Sequence, residues 1–295
     1  MAETQYTGLR TPEALRVGEQ VLNVVVDHAM FRRIRDASLD LIHTMRSLKM
    51  PGGILVQADP GMGKTLLLEL IRRELSSESL SNGGNACLHV ALDNAVDAHG
   101  MAAAMTLALG YPALPSRAQL TSMNRMTQLG LERVRPWVLL IDEMQHVCEG
   151  NKDITARSVT DWLKVRMDAH NFPVICMGTR SLERLALINP QFTSRASASF
   201  VIPAFQFDDA WRQLLAGFAG AVKGVDLNVI NGAGCRPLHQ ACAGNMRMLK
   251  RILTYACMHA ATQANRIVNL GALSKGFVDA AGQVADQVNP FRAAR

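Results

Sequence analysis

Five short apolar runs, at 53–56, 86–92, 137–141, 173–177 and 199–203, punctuate the middle of the chain. Between them lie stretches with helical spacing of apolar positions, at 64–76, 98–109, 116–134 and 159–169. Runs of this length, continuously apolar and separated by helices, predict parallel strands buried on both faces. The alternation predicts an α/β fold with a doubly wound parallel sheet. Ahead of the first run, Leu15, Val17, Val21, Leu22, Val25 and Val26 form one broken apolar face. Phe31, Ile34, Leu39, Leu41, Ile42, Met45 and Leu48 continue it up to Pro51-Gly52-Gly53. These positions predict a helical lead-in over 1–50 and an α/β core over 51–205. After residue 206 the strand signal stops, and helical patterns at 208–217, 230–243, 245–263 and 273–288 predict a small C-terminal helical lid domain over 206–295.

The chemistry gathers where two strands end. Ala58-Asp59-Pro60-Gly61-Met62-Gly63-Lys64-Thr65 joins the first strand to a helix. A strand that turns through glycines into a helix points backbone N–H groups and a helix N-terminus at one place, which suits phosphate. Pro60, Gly61, Met62 and Gly63 would form the cradle, Lys64 would reach the β- and γ-phosphates, and the Thr65 hydroxyl would take a Mg²⁺ position. Ala58 departs from the glycine that usually opens this loop. About 80 residues on, the run at 137–141 delivers Asp142 and Glu143 to the C-terminal edge of its strand, where ligands bind in open parallel sheets. Asp142 would complete the Mg²⁺ shell, and Glu143 would orient and deprotonate an attacking water. The run at 173–177 brings Thr179 to the same edge, either to hold that water or the γ-phosphate, or to cap the segment starting at Ser181.

Composition narrows the setting. No stretch approaches the roughly 18 to 20 apolar residues of a membrane helix, and Met1-Ala2-Glu3-Thr4 has no signal-peptide design, so a cytoplasmic protein without a membrane partner is expected. The six cysteines form no C-x-x-C pair and read as reduced, structural thiols. Cys235, His239, Cys242 and His259 fit no zinc template. Arg236-Pro237-Leu238-His239-Gln240-Ala241 looks like part of an ankyrin repeat but has no second copy. The net charge of +6 arises almost entirely after residue 206, where 10 Lys or Arg face 5 Asp or Glu. Such a surplus is compatible with a nucleic-acid surface without requiring one.

The phosphate loop, the strand-borne Asp142-Glu143, the polar strand end, Arg195 before the last strand and Gly244-Asn245-Met246-Arg247 in the helical region together resemble the AAA+ P-loop ATPases. Within them the chain is most similar to the TniB/TnsC family of transposition ATP-binding proteins, relatives of the phage MuB target-DNA activators. That resemblance rests on Asp27-His28-Ala29-Met30-Phe31, Leu140-Ile141-Asp142-Glu143-Met144-Gln145-His146, Met177-Gly178-Thr179 and Asn289-Pro290-Phe291.

The resemblance implies a bacterial ATPase using ATP and Mg²⁺, with Thr179 as sensor 1, Arg195 as the arginine finger offered to the next subunit, and Arg247 as the sensor-2 arginine. Arg195 as a surface cap and Arg247 as one more cation beside Lys250 and Arg251 remain open. The resemblance further implies a homo-oligomer, ring or helical filament, on double-stranded DNA without sequence preference, linking a TniQ-like target selector to a DDE-type transposase. Arg117 and Arg125 are the first candidates for DNA contact, Lys152 and Arg157 follow, and the basic stretch Arg247 to Arg251 competes with them. An ATPase motor or loader of replication or secretion is the rival reading, and a nucleotide-gated adaptor that does not hydrolyse is a second. Glu143 weighs against the adaptor, because binding alone needs no base.

Overall fold

The computed structural model describes residues 8–80, 87–93, 96–113, 115, 119–149, 153–282 and 288–292. Contacts divide the chain into two compact units, residues 30–203 and residues 1–29 with 204–295.

In the first unit, α2 (Ala29–Ser47) precedes β1 (Gly53–Ala58), α3 (Lys64–Leu80), β2 (Cys87–Ala91), α4 (Ala98–Ala108) and α5 (Leu120–Val134). Then come β3 (Val138–Asp142), α6 (Gln145–Cys148), α7 (Asp153–His170), β4 (Val174–Gly178), α8 (Arg184–Ile188), α9 (Pro190–Thr193) and β5 (Ala196–Ile202). The five strands form one sheet in the order β2-β3-β4-β1-β5, and every pairing is parallel. β1, β3 and β4 occupy the middle and are buried along their whole length. Pleating sends alternate side chains to opposite faces. Leu55, Leu139, Ile141, Val174 and Cys176 therefore join Met101, Met105, Leu131, Leu163 and Met167 from α4, α5 and α7 in one core. The intervening Ile54, Val56, Leu140 and Ile175 are fully buried as well. This is the doubly wound α/β sheet expected from the sequence.

The second unit holds α1 (Pro12–Asn23), α10 (Asp209–Ala221), α11 (Cys235–Cys242), α12 (Met246–Ala261) and α13 (Leu270–Ala281). Side-chain caps start four of these five helices: Thr11 accepts from Ala14 N, Asp208 from Trp211 N, Asn245 from Met248 N and Asn269 from Ala272 N. Val17 and Val21 of α1 pack with Trp211, Phe218, Leu249, Leu253 and Leu273. The stretch read as a single lead-in over 1–50 is thus shared: α1 belongs to the helical unit and α2 to the sheet unit. The two apolar faces have the same period, and periodicity does not state which core a face will join.

The helical unit also explains two of the resemblance motifs. Gly244 has φ of 71°, and a Cβ there would lie 2.0 Å from the Phe205 carbonyl oxygen, so only glycine fits. At the C-terminal end, Phe291 is buried against Phe277, and the Asn289 side-chain amide donates to the Ser274 carbonyl and hydroxyl of α13. The last expected helix, 273–288, is α13 at 270–281; residues 283–287 lie outside the described residues.

Candidate functional site

β1 and β3 both end at the C-terminal edge of the sheet, with β4 between them. The loop leaving β1 turns through Gly61 and Gly63, whose φ values are 84° and 89°. At Gly63 a Cβ would also lie 2.8 Å from the Phe31 ring of α2, so glycine is required by both conformation and space. Phe31, read from the sequence as part of an apolar helical face and of a flanking motif, is thereby the wall behind the loop. Ala58 is the last residue of β1, has no positive φ and is buried, so alanine meets no conformational penalty there.

Lys64 is only 6% exposed, and its Nζ donates to the Ala58 carbonyl at 3.0 Å. The ammonium is therefore folded back along the loop that precedes it. Thr65 follows as the second residue of α3, and its hydroxyl donates to Asp142 Oδ2 at 2.8 Å. Asp142 Oδ1 accepts from the Glu143 backbone N–H at 2.9 Å. A carboxylate and a hydroxyl converging on one point, next to a loop built for phosphate, are hard oxygen donors of the kind Mg²⁺ takes while it keeps waters and phosphate oxygens. The residues present fit that ion.

Glu143 has φ of 56°, a left-handed backbone that an ordinary side chain adopts at a cost of about 1–3 kcal/mol. Its carboxylate accepts from the Gln145 side-chain amide. Gln145 in turn accepts from the Thr179 backbone N–H at 3.2 Å. The Thr179 hydroxyl contacts Ser181 Oγ at 2.6 Å and accepts from Ser181 N at 3.4 Å, so it caps the 3₁₀ turn over Arg180–Glu183. Thr179 thus stands at the strand edge beside the loop with its hydroxyl engaged as a cap.

The structure adds Arg180, which the sequence reading passed over. Its Nε lies 3.5 Å from Asp59 Oδ1 of the phosphate loop, with both side chains more than half exposed. The available signal was its position directly after the polar strand end.

Arg195 sits elsewhere. It precedes β5, and its carbonyl accepts from Gly53 N at the start of β1. With about 3.3 Å per residue along β1, Arg195 lies roughly 20 Å from the phosphate loop of its own chain. Its guanidinium pairs with Asp168 near the end of α7. Arg247 is exposed in the first turn of α12, in the helical unit. Arg125 on α5 and Arg157 on α7 are exposed, whereas Arg117 and Lys152 lie outside the described residues. In the competing basic stretch, Lys250 Nζ donates to the Leu22 carbonyl in the last turn of α1 at 2.8 Å, and burial lowers its pKa. Among the described residues no helix is long and apolar enough to cross a membrane.

Among solved structures the chain is similar to the Aeropyrum pernix ORC2 protein in its ADPNP-ADP complexes, with TM-score 0.68 and 16% identity over 90% of this chain and 71% of that one. The Aeropyrum pernix ORC1 protein in complex with DNA gives TM-score 0.67 and 18% identity over 89% and 69%. Drosophila ORC bound to DNA gives TM-score 0.66 and 16% identity over 95% and 68%. At such identities the similarity establishes the fold alone, a parallel α/β sheet unit accompanied by a helical unit. No curated protein matches the chain in sequence. The family model for the bacterial TniB protein matches residues 16–206, which takes in the phosphate loop, the Asp142-Glu143 strand end and β5, and the chain belongs to the TniB family.

Proposed function

We propose that this chain is an ATP-dependent, DNA-binding AAA+ ATPase that regulates DNA transposition, assembling on target DNA and linking a TniQ-like target selector to a DDE-type transposase. The observation that carries the ATPase half is the 2.8 Å bond from Thr65 to Asp142, which joins the phosphate loop to the acidic strand end across the sheet. Family membership carries the transposition half.

In this reading Pro60 to Gly63 offer backbone N–H groups to the phosphates, and Lys64 leaves the Ala58 carbonyl to meet the β- and γ-phosphate oxygens. Thr65 and Asp142 would hold Mg²⁺, whose charge would offset that of the phosphates. Glu143 accepts the proton of the attacking water, and Thr179 stands at the neighbouring strand end beside it. Arg195, too far from its own loop, serves the site of the next subunit in a head-to-tail assembly, where a positioned cation stabilises the charge that develops. DNA binding draws support from the two structurally similar ORC proteins that were solved with DNA.

The deciding experiment is ATP binding and hydrolysis by wild type, Lys64→Ala and Glu143→Gln, followed by electron microscopy with an ATP analogue and plasmid DNA. Lys64→Ala should lose binding, Glu143→Gln should bind and not hydrolyse, and wild type should form regular assemblies on the duplex. Equal ATP affinity in wild type and Lys64→Ala would remove the site, and assembly that ignores nucleotide or DNA would remove the regulatory role.

A further inference from the structure

The Gln145 side chain touches both Glu143 and the end of β4, and it is only 5% exposed. Its amide has one correct orientation. The Thr179 backbone N–H can only donate, so the atom facing it at 3.2 Å is Oε1. Nε2 therefore faces Glu143 Oε2 and donates to it.

The surroundings leave this side chain little freedom. Gln145 opens α6, and the preceding residue, Met144, donates its backbone N–H to the Met177 carbonyl at 2.8 Å. A Cβ added to Gly178 would come within 2.8 Å of Gln145 Oε1 and 3.0 Å of Gln145 N. The absence of a side chain at 178 is what lets the amide lie against β4. Swinging it away would leave buried polar groups unpaired, at about 1–3 kcal/mol each. The left-handed backbone of Glu143 is held locally by the bond from its own N–H to Asp142, whereas its carboxylate is held by Gln145.

We infer that Gln145 is a positioning residue for ATP hydrolysis, a fixed strut that braces the Glu143 carboxylate against the end of β4 so that one carboxylate oxygen is held and the other is left for water. This inference rests on the ATPase reading above, in which Glu143 is the base. The strut acts through Glu143 and not on nucleotide, so it governs the chemical step. It is also distinct from a restraint that must be released, because both ends of the amide are engaged and the group is enclosed. The link further sets the base by the position of Thr179, so a shift of the β4 end moves the carboxylate with it.

The test compares full-length wild type with Gln145→Met, Gln145→Glu and Gly178→Ala, using Glu143→Gln as a control, and reads kcat, KM, the dissociation constant of a fluorescent ATP analogue and thermal unfolding. Gln145→Met keeps the volume and loses both bonds. Gln145→Glu keeps an acceptor for Thr179 N–H but turns an acceptor toward Glu143, so it isolates the contact that matters. Gly178→Ala pushes the same amide from the other side. Each should lower kcat by about tenfold or more, with KM and the dissociation constant within about twofold of wild type. Gln145→Glu with wild-type kcat would overturn the inference, and so would a raised kcat in any of the three, which is the signature of a released restraint. A fall in nucleotide affinity parallel to the fall in kcat would overturn it too, because it marks general disruption. Glu143→Gln with full activity would instead overturn the ATPase reading, whereas an inactive Glu143→Gln beside a normal Gln145→Glu removes the strut alone.

Discussion

The Arg195 guanidinium is paired with Asp168 of the same chain, on the sheet edge opposite the phosphate loop. Both partners are partly exposed, at 33% and 47%, and such pairs contribute about 0–1 kcal/mol. The pairing is therefore too weak to keep Arg195 from a neighbouring subunit. Asp168→Ala should leave hydrolysis within about twofold of wild type, while Arg195→Ala should lower it by at least about 10³-fold under assembly conditions. Mixing Arg195→Ala with Lys64→Ala should recover part of the activity, because each variant keeps the half-site the other lacks. Measured ATPase rates across mixing ratios check this, and no recovery at any ratio would place the site within one subunit.

Gly63 is bound by two constraints that mutation can separate. Gly63→Ala meets both the positive φ and the Phe31 ring, so it should destabilise the fold by about 1–3 kcal/mol and abolish nucleotide binding. Adding Phe31→Ala removes the clash and leaves the strained backbone. The double variant should recover some stability in chemical denaturation but no ATP affinity, since the loop's N–H groups remain misdirected. Recovered affinity would mean that space alone requires the glycine.

The sequence made the sheet legible because β1, β3 and β4 are buried along their whole length and read as unbroken apolar runs. Thr65 and Asp142 were legible because local chemistry marks each of them, and the fold supplies only their meeting. The allegiance of α1 was not, since Val17 and Val21 are apolar at helical spacing whichever core they join. Gln145 was equally hidden. Its partner Thr179 is 34 positions away, and nothing at Gly178 announces that an amide must pass there. Arg180 was missed for the same reason, because its partner Asp59 lies on a different strand end.

Five of the six cysteines should be inert. Burial pushes the Cys87, Cys176 and Cys257 thiols up to about 12, and Cys148 and Cys242 up to about 11. Raised thiol values suppress the reactive thiolate below those pH values, so these thiols in the folded chain at pH 8 should label slowly with a disulfide reagent. Unfolding in denaturant should expose all 6 thiols. Rapid native labelling would show that one of these side chains reaches solvent.

The DNA surface turns on which cations are available. Lys250, half of the competing pair on α12, is bonded to the Leu22 carbonyl, where a cation complements the end of α1. Its removal should therefore act on stability, by about 0.5–1.5 kcal/mol, more than on DNA. Arg125 on α5 is exposed, and Arg157 on α7 is exposed in the same unit. A head-to-tail assembly repeats such side chains once per subunit along the duplex, so a modest per-subunit charge adds up over many phosphates. Arg117→Ala combined with Arg125→Ala should weaken ATP-dependent DNA binding at every sequence tested, and should reduce the slope of log affinity against log salt by about 2 per subunit engaged. Nucleotide affinity should not change. Salt titrations of duplex binding by this variant, beside Lys250→Ala with Arg251→Ala, decide the matter. Normal binding by the first pair and loss by the second, at unchanged stability, would move the DNA path to α12 despite the engagement of Lys250.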